Sequence, residues 1–326
     1  PTIGRTSLNR QRTSSRPQSL PTRPGRVVAA HGRHCLVETP EGERLLCHAR
    51  GKRNDVVVGD SVQWAPTGDE GIIESVNERR NLFHRQDEWR TKSFAANIDQ
   101  VLILLAAEPE FSESQLTRAL IAAEAAGIDA LIGLNKHDVQ PAFDRAWDRL
   151  APYRRMGYEV MPLCLRPDEH GREEGLELLK VRLDDRSTLV LGPSGVGKST
   201  LVNRLVPHAQ AETGEISRAL NSGKHTTTST TWYWTDTARH TALIDSPGFQ
   251  EFGLAHVEPS RLAHLMPDLR GVLGDCRFYN CTHRQEPGCC VRAAVAGSEQ
   301  PDAPISPQRY RLYSELYEQL SGQRNY

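Results

Sequence analysis

The sequence has no apolar run long enough to cross a bilayer. Its best, "VLILLAA" at 101–107, falls far short of the roughly 20 residues a spanning helix needs. It has no continuous apolar stretch near its start of the kind a secretory signal requires, so a cytoplasmic protein with no membrane partner is expected. It has almost no net charge, −1 from 40 Lys/Arg and 41 Asp/Glu, which excludes a polycation that would coat nucleic acid along its whole surface. It has no internal repeat, which excludes a solenoid or propeller. Its seven cysteines are odd in number and unevenly spread, which argues against a disulfide framework. Acidic residues are missing from the first 26 positions, where Arg5, Arg10, Arg12, Arg16, Arg23 and Arg26 stand among Ser, Thr, Pro and Gln. Residues 1–23 are therefore expected to be a disordered, Arg-rich arm.

Charge is sorted along the chain. Residues 1–90 carry 15 Lys/Arg against 11 Asp/Glu, and residues 91–254 carry 17 against 22. A polyanion would meet the N-terminal part first. Residues 24–88 read as short strands with Gly-bearing turns: "GRVVAAHG", "HCLVETPEGERLLCHA" with a turn at "PEGE", "VVVGDSVQWAP" and "GIIESVN". Such spacing predicts a small OB-like β-barrel. From residue 97 strands and helices alternate: strand "QVLILLAAE", helix "ESQLTRALIAAEAAG", strand "DALIGL", one helix over 141–157, strand "YEVMPL", a charged helix near 172–183, strand "STLVLG" and a helix from Lys198. With "TWYWT" and "TALID" these predict an α/β domain over 89–252, a mainly parallel sheet with helices on its faces. Residues 253–326 read as a mainly helical domain around a Cys/His knot.

Four motifs carry the chemistry. "GPSGVGKST" covers Gly192, Pro193, Ser194, Gly195, Val196, Gly197, Lys198, Ser199 and Thr200 and follows an apolar strand. A glycine loop there wraps phosphate with backbone N–H groups, Lys198 adds a point charge, and the Ser199 hydroxyl suits Mg²⁺. "NKHD", Asn135, Lys136, His137 and Asp138, ends another strand. An Asp carboxylate there can accept from the N1–H and exocyclic amine of guanine, and the Lys136 stem can cover the ring. "DSPG" follows "TALI", placing Asp245 to hold Mg²⁺ and the Gly248 N–H to contact a γ-phosphate. In "GKHTTTST" Thr227, with Thr228 second, is the candidate to complete the magnesium shell only while triphosphate is bound.

The order is unusual. A conventional GTPase runs phosphate loop, Thr switch, D-x-x-G and then N-K-x-D; here N-K-x-D comes first and the other three follow unchanged. That is one cyclic rotation, which compact domains with close termini tolerate. Further on, Cys276, Cys281, His283 and Cys289 spell C-x4-C-x-H-x5-C. Three thiolates and an imidazole suit a closed, structural zinc site, with Cys290 as the spare. Cys35, Cys47 and Cys164 read as packing residues.

Together these residues make the chain resemble the RsgA (YjeQ) family of small-ribosomal-subunit GTPases, from barrel to Cys/His site. The resemblance implies a circularly permuted P-loop GTPase domain flanked by the barrel and a zinc-binding helical domain. It further implies GTP and GDP as ligands, the 30S subunit and 16S rRNA as partners, stimulated hydrolysis and a role late in subunit maturation; a monomer is expected. Phe249 stands where other GTPases carry a water-orienting Gln, and His225 is the candidate in its place, as a water-positioning group or general base. "PLCLRP" at 162–167 lacks the Ser-Ala or Ser-Ser pair common in the last guanine loop. Two other readings stay open on sequence: a metabolic P-loop kinase or ATPase, and an RNA-binding scaffold with a vestigial nucleotide site.

Overall fold

The structure is a computed structural model. It describes residues 21–51, 55–87, 91–166, 174–206, 230–246, 249, 252–296 and 305–322. The first twenty residues, and with them most of the expected Arg-rich arm, lie outside that set.

Five N-terminal strands close on themselves: β1 (Arg23–His31), β2 (His34–Glu38), β3 (Arg44–Ala49), β4 (Ser61–Thr67) and β5 (Glu70–Val76). Their order is β1-β2-β3-β5-β4 with β4 returning to β1, and only β3–β5 is parallel among these pairings. This is the five-stranded Greek-key barrel of the OB type. Alternate apolar residues face inward, and the barrel has its own core of Val27, Cys35, Val37, Cys47, Val62, Trp64 and Ile73. Cys35 and Cys47 are thus packing residues, and burial pushes both thiols up, Cys35 to about 11 and Cys47 to about 12. The expected strand "VVVGDSVQWAP" starts only at Ser61. Before it, Asp60 turns inward, accepting from the Val57 N–H and from Arg79, which breaks the extended run.

A hairpin follows that the sequence pattern did not reveal: β6 (Leu82–Gln86) and β7 (Thr91–Ala96). It packs Phe83 and Phe94 against Phe252, with ring centroids 5.6 and 5.8 Å away.

Beyond β1 the same sheet continues into a central part with the order β10 (Glu159–Pro162), β9 (Asp129–Asn135), β8 (Gln100–Ala106), β11 (Ser187–Leu191), β13 (Ala242–Asp245), β12 (Thr231–Trp234), where β12 meets β1. All neighbours are parallel except β12–β13. β8 is buried at every position and β11 likewise, as strands covered on both faces must be. The phosphate-loop strand β11 lies between β8, which opens the N-K-x-D half, and β13, which ends at Asp245. The rotation inferred from motif order is thus visible as geometry: the middle strand of the sheet comes late in the chain.

Helix α1 (Glu113–Ala126) starts at Ser112, whose hydroxyl accepts from the Gln115 N–H, and stops at Gly127 in a left-handed conformation. The single helix expected over 141–157 is instead two, α2 (Ala142–Arg149) and α3 (Ala151–Arg155). Pro152 has no N–H to continue the ladder and so sits in the first turn of the second helix. Helices α4 (Leu176–Leu183) and α5 (Lys198–Leu205) follow the sheet order. The C-terminal part is short turns, the short helix Cys290–Ala296 and the long helix Pro307–Gly322. Its apolar residues Leu316, Leu320 and Tyr313 continue the core of the central sheet. Among the described residues no helix is long and apolar enough to cross a membrane.

Candidate nucleotide and metal sites

In a parallel sheet ligands bind beyond the carboxyl ends of the strands, where the strand order switches direction. Asn135 ends β9, Leu191 ends β11 and Asp245 ends β13, so both motifs emerge on one rim. They also touch. The Asn135 amide donates to the Val196 carbonyl at 2.8 Å, and its oxygen accepts from the Leu165 N–H at 3.1 Å. Asn135 is buried, so both bonds act in a dry setting where an unmet amide is costly. Gly197 is required at this contact: a Cβ there would lie 2.5 Å from the Asn135 amide nitrogen.

The rest of the tetrad opens outward. Lys136, at φ +67°, donates to the Glu108 carbonyl at 2.5 Å. The His137 ring meets Phe143 edge-on at 4.3 Å and pairs with Glu174. Asp138 is exposed, and the Cys164 thiol lies 3.4 Å from its Oδ1 and 3.0 Å from the Arg166 carbonyl. Burial and the Asp138 carboxylate hold the Cys164 thiol above its ordinary range, so it stays protonated and able to donate. Leu165 and Cys164 are the site residues that motif reading missed. One contributes a backbone N–H, which no side-chain pattern encodes, and the other stands in a loop without the expected Ser-Ala pair.

In the phosphate loop Ser194, Gly195 and Ser199 are exposed, while Val196 is buried and anchors the loop. Gly195 and Gly197 take φ of +81° and +107°, conformations that favour glycine. The Lys198 ammonium folds back onto the loop, donating to the Gly192 carbonyl at 2.6 Å and the Pro193 carbonyl at 3.0 Å. Burial lowers its pKa, opposed by Asp245; burial likewise raises Asp245 above the usual carboxylate range, opposed by Lys198 and the Ser246 N–H. Asp245, the half-buried last residue of β13, thus stands close enough to the Lys198 ammonium for each charge to favour the other's ionised form. Phe249 is 3 % exposed and packs beside Phe252, so the position after D-x-x-G belongs to the core. His225, Thr227, Thr228 and Gly248 lie outside the described residues.

The second cluster brings Cys276, Cys281, His283 and Cys289 together, with ligand atoms all within 4.8 Å of one another. The His283 Nδ1 lies 3.5 Å from the Cys276 sulfur and 3.6 Å from that of Cys289. Tetrahedral zinc, with bonds of about 2.3 Å to sulfur and about 2.0 Å to nitrogen, sets such separations near 3.5 Å. The donor set and spacing therefore fit zinc. Cys290, outside the four-residue set, places its thiol on the Asp275 carbonyl at 2.7 Å. Outer partners fix the knot: the Tyr310 and Tyr313 hydroxyls donate to the His283 and Thr282 carbonyls, and Glu286 accepts from the Thr282 hydroxyl and from the Thr282, Arg284 and Gln285 N–H groups.

Residues 76–255 match the sequence profile of the RsgA GTPase family. A small ribosomal subunit biogenesis GTPase RsgA of Variovorax paradoxus is 64% identical over 300 residues, 92% of this chain and 93% of that protein. The protein of the same description from Burkholderia pseudomallei is 50% identical over 301 residues, 91% and 92% of the two chains. Among solved structures, YjeQ from Thermotoga maritima superposes with a TM-score of 0.67 at 28% identity, over 93% of this chain and all of that one. YloQ, described as a circularly permuted GTPase, gives 0.65 at 24% identity, covering 95% and 99%, a likeness of fold.

Proposed function

The chain belongs to the RsgA GTPase family, and from that premise we propose that it binds the 30S ribosomal subunit in the cytoplasm and there hydrolyses GTP to GDP and phosphate. Hydrolysis assists late maturation of the subunit and the release of the enzyme from it. The observation that carries this reading is the Asn135 bridge, which ties the base-reading strand end to the phosphate loop across the permuted order. One nucleotide then spans both motifs.

The roles follow from the chemistry of each group. Asp138 accepts from the guanine N1–H and amine, Lys136 covers the ring, and His137 with Glu174 steadies the loop. The loop from Gly192 to Thr200 wraps the phosphates with its N–H groups, and Lys198 exchanges its two carbonyl bonds for phosphate oxygens. Ser199, Asp245 and Thr227 would hold Mg²⁺, which supplies charge neutralisation at the outer phosphates when bound. The Gly248 N–H contacts the γ-phosphate and His225 orients the attacking water. Zinc at Cys276, Cys281, His283 and Cys289 is structural, since four protein ligands leave it no open position. The barrel, the GTPase domain and the zinc domain divide near residues 88 and 252, and contacts to 16S rRNA fall mainly on the N-terminal part with its excess of Arg and Lys.

The test is multiple-turnover GTP hydrolysis titrated with purified 30S and 50S subunits. Acceleration by 30S alone is expected; equal response to both, or none, would sink the proposal. Competition of GTP and ATP for a fluorescent guanine nucleotide separates it from a kinase or ATPase.

A further inference from the structure

Where the barrel meets the central sheet, β1 pairs with β12 through Ala29 and Thr231. Beside that pair lies a cleft of about 340 Å³, lined among others by Arg26, Glu38, Ser61, Trp234 and Arg239. Its walls come from both domains: Arg26 and Glu38 from the barrel, Trp234 and Arg239 from β12 and the turn after it.

The charges in this cleft are unevenly met. Glu38 is 6 % exposed and already satisfied, accepting from the Trp234 indole N–H at 2.6 Å and from the Arg44 guanidinium at 2.9 Å. Arg239 reaches it only at 4.0 Å, and makes two long bonds of 3.4 Å to the Pro40 and Glu41 carbonyls. Arg26 stacks on Trp232 and Trp234, 4.7 and 5.3 Å from their ring centroids. Among the described residues no hydrogen-bond acceptor is placed on its guanidinium. Burial lowers the pKa of Arg26, opposed by Glu38 and Asp99, so its charge is partly desolvated without a bonded counter-ion. The buried Trp232 N–H beside it also lacks a partner among the described residues. A guanidinium has five donors in a fixed fork, and leaving them unmet in a half-dry cleft is costly. An anion with several acceptor oxygens would relieve that cost, and phosphate has the geometry.

The cleft is held in shape for such a ligand. The Arg239 side chain lies across Gly42 of the β2–β3 turn, where any Cβ would fall 1.6 Å from a guanidinium nitrogen. The charge also continues outward in sequence, since Arg23 precedes Arg26 on β1 and Arg16, Arg12, Arg10 and Arg5 precede that strand.

We propose that this cleft between barrel and GTPase sheet binds an RNA phosphate, gripped by Arg26 and Arg239 and bordered by Trp234. The proposal rests on the functional reading above for its RNA partner. Bound there, RNA touches the Trp234 end of β12, the strand whose first residue, Thr231, pairs with Asp245.

The test compares the full chain with Arg239→Gln and Arg26→Gln, measuring the Kd for purified 30S subunits and for a 16S rRNA transcript at several salt concentrations. GDP affinity and thermal melting are followed in parallel. The expected result for Arg239→Gln is a roughly three- to tenfold weaker Kd and a log–log salt slope shallower by about 0.7–0.9, with GDP binding unchanged. Arg26→Lys keeps charge without the fork and covers the case in which Arg26→Gln fails to fold; it is expected to weaken binding but less than the loss of charge. If the unsubstituted chain binds neither 30S nor the transcript, the functional reading itself fails. If it binds and Arg239→Gln and Arg26→Lys match it in Kd and slope, the cleft is not an RNA site. If the substitutions abolish protection by inorganic phosphate in thermal melts but leave RNA binding intact, the site takes free phosphate and the RNA assignment is overturned.

Discussion

The Asn135 amide and the Val196 carbonyl meet at 2.8 Å although 61 residues separate them. In the proposed function the first belongs to the segment assigned to the base and the second to the loop assigned to phosphate. Asn135→Ala removes that bond and the acceptor of the Leu165 N–H, leaving two buried groups unmet at about 1–3 kcal/mol each. Nucleotide affinity is expected to fall by roughly 10- to 100-fold, read with a fluorescent GDP analogue. An unchanged Kd would mean that the two motifs do not serve one ligand.

His225 is expected to act on the attacking water. Single-turnover hydrolysis by His225→Ala should drop by ~10² or more while GTP affinity holds. A normal rate in that variant removes His225 from the mechanism.

Asp245 carries a pH signature in the nucleotide-free chain. Its folded pKa is raised by burial, so ionisation costs the native state stability. That stability is present below the ordinary carboxylate range and is lost as pH rises through the raised value. Asp245→Asn stays neutral throughout. Its urea midpoint should exceed that of the parent at pH 7, with the gap closing at acid pH, while its Mg²⁺-dependent GTP binding is weaker. A midpoint below the parent's at pH 7 contradicts the assignment of burial as the dominant cause.

Arg309, on the C-terminal helix, is 4 % exposed and clasps both oxygens of Asp268 at 2.8 and 3.2 Å. It also donates to Thr117 of α1 at 2.7 Å, and Thr117 in turn meets the Tyr153 hydroxyl at 3.0 Å. Cutting one side of so buried a pair leaves the other charge stranded, and Arg309→Ala should cost about 3–5 kcal/mol in urea unfolding. A loss below 1 kcal/mol would show that the helix docks without it.

Removing zinc should loosen the C-terminal module and spare the nucleotide site. Cys289→Ala, or dialysis against chelator, is expected to lower bound zinc from one per chain and to raise hydrogen exchange over 276–296 and 307–322. GDP affinity should stay within about twofold, because none of the four clustered ligands is among the residues assigned to the nucleotide. Equal loss of both would make the two sites one cooperative unit.

How far these features could be read in advance depends on what encodes them. The strand–glycine–helix passage at 187–205 and the Cys/His spacing at 276–289 are local, and a local pattern suffices. The barrel was legible from closely spaced strands and turns, but its closure through β1–β4 is a distant pairing. The β6–β7 hairpin escaped because "LFHRQ" and "TKSFAA" show no clean alternation; its order comes from Phe252, more than 150 residues away in sequence, packing on Phe83 and Phe94. The break at Leu150 was available in principle from Pro152, outweighed by helix-favouring residues on both sides. Leu165 could not be found at all, since its part is played by a main-chain N–H.

The pairing of Ala29 with Thr231, a single bridge, places β12 inside the strand order rather than at its margin. Excising the barrel would therefore do more than delete five strands. It would strip a neighbour from an aromatic-rich strand, "TWYW", and leave an open rim ready to recruit a second chain. On this geometry the small N-terminal domain also occupies part of an edge that a foreign strand could otherwise pair with.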